Sequence, residues 1–267
     1  MKILVLPDIH GRDFWREPCE DIEQYDKVIF LGDYLDPYDF EKISVGEAID
    51  NFKDILLFAK DNPKVVMLLG NHDMPYLSDT YYGFNTYHCR HSHQYHKEIH
   101  TLFKENEDLF RVGYAVDDVL FTHAGCTPAW LGMVFGEKYK QEGDDVVDLD
   151  ELCNDLNALL KSLDGLLNLY KVSYHRGGTD TVGSCMWAHY VEVFESYEGS
   201  KSKYSRDWAF YKVKQVFGHT IQAYGNYDEN YNIVYSYGGP IEEGNLKMID
   251  TAHAYELDTK EFTIKQL

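Results

Sequence analysis

The residues of this chain that could do chemistry fall into five short clusters. They are Asp8-Ile9-His10-Gly11, Gly32-Asp33-Tyr34-Leu35-Asp36, Gly70-Asn71-His72-Asp73, Thr122-His123-Ala124-Gly125 and Phe217-Gly218-His219-Thr220. Together they supply carboxylate, imidazole and amide oxygen donors and need no thiolate. That mixture suits borderline divalent ions such as manganese, iron, zinc or cobalt better than magnesium or calcium. Taken singly, each cluster has a plainer reading: an Asp-x-His is an Asx-turn followed by a solvated histidine, and Gly-Asp and Asp-Pro are ordinary turn chemistry. Gly70-Asn71-His72-Asp73 resists that reading better, because consecutive residues offer an amide oxygen, an imidazole and a carboxylate. The recurrence argues for one shared site, since all five clusters follow directly on an apolar run.

Those runs cover 3–6, 28–31, 65–69, 119–121 and 216–217. Apolar throughout rather than alternating, they read as strands buried on both faces of a covered sheet. Ligands of open α/β sheets bind in the crevice beyond the carboxyl ends of the strands, so the five loops converge on one place. The spacing predicts a helix over 45–60 with Ser44 as N-cap and Pro63 beyond its end. Further helices are expected over 91–106 and over 149–170, the latter opened by Asp148 and Asp150 in the first-turn position that suits acids. The tail reads as short strands at 233–235, 246–249, 254–257 and 262–264. The stretch 197–205, with its serines, lysines and glycine, is expected to be a mobile loop. No repeat of solenoid period is present.

With 267 residues and 44% hydrophobic content, the chain can be served by one large core, and a single domain over 1–267 is expected. The formal charge of −20 disfavours any broad basic face, so long duplex nucleic acid is an unpromising partner. A small anionic substrate met by local cations stays open. Five scattered cysteines without a CxxC pair suggest neither a disulfide framework nor a zinc finger. The apolar run after Met1 is too short for a signal-peptide core, and nothing approaches membrane-spanning length, so the expectation is a cytoplasmic protein without a membrane partner. Oligomeric state is not legible.

Written out in order, DIHG, GDYLD, GNHD, THAG and GHT resemble the calcineurin-like metallophosphoesterase family. The resemblance is to its serine/threonine phosphatase-like branch of bacterial or phage type, with blocks DxH, GDxxD, GNH(D/E), H and GH, and it spans residues 8 to 219. It implies a mixed α/β (α+β) fold, a four-layer sandwich of two mixed β-sheets flanked by helices, with two divalent transition-metal ions at one edge. Carried over position by position, it implies that Asp8 and His10 bind the first ion, that Asn71, His123 and His219 bind the second, and that Asp33 bridges both. Two such ions about 3.5–4 Å apart can share a bridging water, lower its pKa and direct it in line at phosphorus. His72 would be the general acid, its imidazolium held by Asp36 in the position of the family's partner carboxylate.

Three departures from the family pattern matter. The phosphatase branch carries a phosphate-gripping arginine after the second Asp of GDxxD and another before GNH, where this chain has Pro37 and Leu69. Ile221 stands where a GHxH variant would have its second histidine, which leaves water to complete the first ion. His189 replaces the usual Asp of a W-(S/A)-D segment in Met186-Trp187-Ala188-His189. Arg176, followed by two glycines that let a loop approach a ligand, could replace the missing cations, and Arg12 is a second candidate for substrate binding; either can instead be a surface arginine. The histidines at 88, 91, 93, 96 and 100 invite a metal reading, but a solvated helix accounts for them better. The expected activity is metal-dependent phosphoester hydrolysis by direct attack of a metal-bridging hydroxide. A phosphomonoester, phosphoprotein or small metabolite, is the first-choice substrate. Phosphodiesters and dinucleoside polyphosphates come next, and a non-catalytic scaffold or a metal sensor is the rival of another class.

Overall fold

The strands that carry the site form because their side chains can be buried on both faces. In β1 (Lys2–Leu6), Ile3 and Val5 point one way and Leu4 and Leu6 the other, and all four are buried. The same holds in β2 (Lys27–Phe30), which pairs in parallel with β1, and in β3 (Val65–Leu68), which pairs in parallel with β2. The structure, a computed structural model, describes residues 1–78, 89–139, 146–199, 212–227 and 233–267.

One six-stranded sheet has the order β13 (Thr263–Gln266), β12 (Tyr255–Asp258), β1, β2, β3, β4 (Phe110–Arg111). Its β1 to β4 segment is parallel, and β12 and β13 add antiparallel strands. A second sheet of five has the order β10 (Ile241–Glu243), β11 (Leu246–Met248), β7 (Lys214–Phe217), β6 (Val119–Thr122), β5 (Gly113–Val116), with β6, β7 and β11 parallel. A hairpin of β8 (Ala223–Tyr227) and β9 (Ile233–Tyr237) stands apart. Ile3, Val5, Ile29 and Leu31 from the first sheet pack with Val119, Phe121 and Val216 from the second in one apolar cluster between the sheets. The outer face of the first sheet, with Leu4, Leu6, Val28 and Phe30, is covered by helical residues such as Phe52, Ile55 and Phe103. Phe217 and Met248 of the second sheet meet Val193 and Phe194 of a helix on its far side. This is a mixed α/β architecture of two stacked sheets between helices.

Helix α2 (Val45–Asp61) is capped as its sequence demands, Ser44 and Glu47 making a reciprocal capping box. Two expected helices are shorter. That over 91–106 becomes α3 (His96–Glu105) after a 3-10 turn at His93–Tyr95. That over 149–170 splits into α5 (Leu149–Ala158) and α6 (Leu163–Leu169), because Ser162 turns extended and caps the second helix through its hydroxyl. Asp148 is the N-cap of α5 rather than a first-turn acid. The tail strands fall within a residue or two of expectation. Of the stretch expected to be mobile, residues up to Gly199 end helix α7 (Tyr190–Gly199), and 200–205 lie outside the described residues. No helix among the described residues is long and apolar enough to cross a membrane.

Candidate metal centre

Strands β1, β2 and β3 lie side by side in one sheet and β6 and β7 in the other, and the residues just past their carboxyl ends meet at one edge. Bringing these loops together bends the backbone hard. His10, Asp33, Asp36 and His219 all sit at left-handed φ values, between 46° and 71°. Non-glycine residues there cost about 1–3 kcal/mol each and persist only where the surroundings hold them. Here the His10 amide donates to the Asp33 carbonyl (2.6 Å) and that of Gly11 to Tyr34 (3.0 Å). The buried Asp73 carboxylate accepts from the amides of Asp33 (2.8 Å), Tyr34 (3.1 Å) and Gly70 (2.8 Å), tying the GDYLD loop to the GNHD loop. Gly32, at φ +102°, lies so close to the Gly70 backbone that any Cβ would collide with it.

Held this way, buried acceptor atoms face one another. Nδ1 of His10 donates to the Leu35 carbonyl (2.8 Å) and Nδ1 of His123 to the Leu31 carbonyl (2.8 Å). In a neutral ring that leaves Nε2 of each histidine as a bare lone pair. Those two Nε2 atoms stand 3.5 and 3.6 Å from the same oxygen, Oδ2 of Asp33. Nε2 of His123 also lies 2.9 Å from Oδ1 of Asn71 and 3.1 Å from Nδ1 of His219, itself 2.7 Å from that oxygen. The Asp8 carboxylate accepts the His219 amide at 3.0 and 3.2 Å. Two sets of donors lie close enough to share an ion: His10, Asp33 and His72, and Asp8, Asp33 and His123. Asp33 belongs to both. His72 thus stands among the first set, a neighbour of His10 with ring centroids 5.0 Å apart.

The electrostatics fit cations. Burial, helped by the nearby His72, Arg90 and Arg12, pushes the His10 pKa well below the usual imidazole range, so the ring is neutral and able to donate a lone pair. Burial, with Arg176 and His123 beside it, does the same to His219. Burial pushes Asp8 up, with the Asp33 charge adding to it and His123 opposing. Carboxylates and lone pairs concentrated in a dry pocket are the donor set a divalent ion satisfies.

His72 donates from Nδ1 to Oδ2 of Asp36 (3.1 Å). Oδ1 of Asp36 is occupied by the hydroxyls of Tyr76 (2.6 Å) and Ser92 (3.1 Å). All the expected ligand positions, with His72 and Asp36, are therefore in one buried cluster. Arg176 reaches the same region: Tyr38, Asp250, Asp33 and Asp8 all act on its charge, against a larger desolvation by burial. Arg12 is placed differently. It is buried beneath the first loop, with Nε on Glu41 (2.6 Å) and Nη1 on the Asp8 carbonyl (2.9 Å). His189 stacks near His175, and burial and Arg176 lower its pKa to about 4.

The described histidines of the stretch are only partly solvated: His93 is exposed, while His96 is buried on the helix. His91 Nε2 meets His96 Nδ1 (2.9 Å), His91 stacks on Tyr76 with centroids 4.6 Å apart, and His100 lies 2.8 Å from the Tyr76 carbonyl. The stretch buttresses the tyrosine that holds Asp36; His88 lies outside the described residues. Sequence reasoning also missed Arg90, Tyr38 and Asp250. Arg90 lies against Asp36 and Tyr38. Asp250 is buried with neither oxygen hydrogen-bonded among the described residues, and burial and Asp8 push its carboxyl well up. Asp250 follows the apolar end of the 246–249 run, so the rule that found the other clusters reaches it too.

Residues 1–220 match the family model of the calcineurin-like phosphoesterases, and the chain belongs to that family. Its members are metal-dependent phosphoester hydrolases. No curated protein matches in sequence. Among solved structures, a cold-active protein-tyrosine phosphatase of a psychrophilic Shewanella species superposes with a TM-score of 0.53 at 15% identity, over 100% of this chain and 80% of that one. A second structure of a cold-active protein tyrosine phosphatase gives 0.52 at 16% identity, over 100% and 78%. At such identities the likeness is one of fold.

Asp73→Ala removes the acceptor of three buried amides, each of which costs about 1–3 kcal/mol when unpaired. Thermal unfolding of this variant should show a loss of several kcal/mol; stability equal to wild type would mean that Asp73 does not hold the two loops together.

Proposed function

We propose that the protein is a two-metal phosphomonoesterase. The reading rests above all on the two histidine Nε2 atoms that face one carboxylate oxygen of Asp33 at 3.5 and 3.6 Å. Like partial charges in a buried site repel unless a cation lies among them. Asp8, His10 and Asp33 would hold one ion, and Asp33, Asn71, His123 and His219 the other. When bound, such ions lower the pKa of water and draw charge from phosphoryl oxygens.

The chain's own groups supply the rest. The carbonyls of Leu35 and Leu31 fix the tautomers of His10 and His123, so that both keep Nε2 for a cation. With Tyr76 and Ser92 on Oδ1 of Asp36, Oδ2 is left to His72, which orients the ring. Nε2 of His72 then delivers the proton that the leaving oxygen requires. Arg176 adds positive charge near Asp8, Asp33 and Asp250. A phosphomonoester dianion gains most from such a cation, and for that reason we place monoesters, among them phosphoproteins, ahead of diesters. Arg12, engaged with Glu41 and the Asp8 carbonyl, supports the first loop.

Metal-stripped protein should hydrolyse neither p-nitrophenyl phosphate nor bis-p-nitrophenyl phosphate, and added manganese should restore turnover with the monoester faster. Faster diester cleavage would overturn the monoester assignment, and no turnover of either by metal-loaded protein would overturn the enzyme reading. His72→Ala should keep its metal and slow alkyl phosphates by about 100- to 10,000-fold, with a smaller effect on p-nitrophenyl esters, whose leaving group needs no proton. Equal slowing of both would remove the proton-donor role.

A further inference from the structure

Arg90 is a cation of the site that lies outside every motif of the sequence. It enters from the histidine stretch, next to Cys89, and its guanidinium lies over Tyr38 with Cζ 3.5 Å from the ring centroid. Nε (3.1 Å) and Nη2 (2.9 Å) both donate to one main-chain oxygen, the carbonyl of Asp36. Nη2 also stands 3.4 Å from each ring nitrogen of His10. Among the described residues its only hydrogen-bond partners are that carbonyl and the His10 ring, and it forms no ion pair. Arg12 differs, because Glu41 neutralises it.

An arginine costs free energy to bring into a half-buried pocket and is normally paired there. One held by a carbonyl and two ring faces keeps its full charge and its Nη1 donors. The place is telling. Asp36 is the second Asp of GDYLD, the residue after which the phosphatase branch puts an arginine and this chain puts Pro37. Pro37 cannot carry a cation, yet the Asp36 carbonyl, one bond from its ring nitrogen, anchors a guanidinium supplied from more than fifty residues further on. Nη2 is at the same time adjacent to His10, so the cation borders the first donor set.

We propose that Arg90 grips the phosphoryl group of the substrate and sets the preference for a dianionic monoester, with Tyr38 as its positioning residue. This rests on the phosphoesterase reading above. The planar fork matches two phosphoryl oxygens at once, and a monoester dianion presents more charge on them than a diester, whose two non-bridging oxygens share a single negative charge. Lysine cannot donate twice to the Asp36 carbonyl and still present a fork.

The test uses manganese-loaded wild type, Arg90→Ala, Arg90→Lys, Tyr38→Phe and Tyr38→Ala, checked first for equal metal content. Binding of inorganic phosphate is read by calorimetry, and kcat and KM with the mono- and bis-p-nitrophenyl esters. Arg90→Ala should weaken phosphate binding and raise the monoester KM about 10- to 100-fold, the loss expected for a hydrogen bond to a charged group, with less effect on the diester. Arg90→Lys should not restore binding, Tyr38→Phe should behave as wild type, and Tyr38→Ala should share part of the Arg90→Ala defect. Phosphate bound by Arg90→Ala as tightly as by wild type, or mono- and diester KM raised equally, would overturn the proposal. If wild type turns over neither ester, the phosphoesterase reading falls separately, and the calorimetry still decides whether Arg90 holds phosphate.

Discussion

Everything at the carboxyl edge of the two sheets answers to one electrostatic constraint: acceptor atoms from five loops are buried against one another around Asp33. A carboxylate oxygen facing two proton-free imidazole nitrogens is unfavourable in a dry site unless positive charge joins them. The fold nevertheless pays for that arrangement with four left-handed non-glycine residues and a glycine pressed against a neighbouring backbone. The amide cradle around Asp73 and the carbonyls behind His10 and His123 hold these loops in place. Parallel pairing of β1, β2 and β3, and of β6 and β7, is what lets five distant segments end at the same edge.

Beyond the donors, a second ring of contacts decides how the site handles protons and charge. Asp36 is the hub, since one of its oxygens holds His72, the other is held by Tyr76 and Ser92, and its carbonyl holds Arg90. The histidines at 91, 96 and 100 pack around Tyr76 and so act on the site through Asp36; among the described residues they belong to no group of donors close enough to share an ion.

The five motif loops, the strands before them and the capped helix α2 were legible in the sequence because each is written locally, in an apolar run, a turn residue or a cap. The clustering of Asp8, His10, Asp33, Asn71, His123 and His219 followed from the rule that strand ends share an edge. What escaped was written non-locally. Arg90 carries no motif and acquires its place only through Tyr38 and the Asp36 carbonyl, while the break at Ser162 is a cap hidden inside a continuous helical pattern. Asp250 escaped for a different reason: it ends an apolar run like the others but lies beyond the 8–219 span of the five motifs. Arg12 reads as a substrate cation in sequence, and only the fold reveals Glu41 against it.

The sharing of Asp33 between two ions, as proposed above, is tested most directly by metal analysis. Wild-type protein stripped, reloaded with manganese and freed of excess should hold about two ions per chain, the number a shared carboxylate serves. Asp33→Asn, folded as judged by circular dichroism, should hold close to none. A wild type that binds one ion or fewer, or an Asp33→Asn variant that keeps the wild-type complement, would contradict the account.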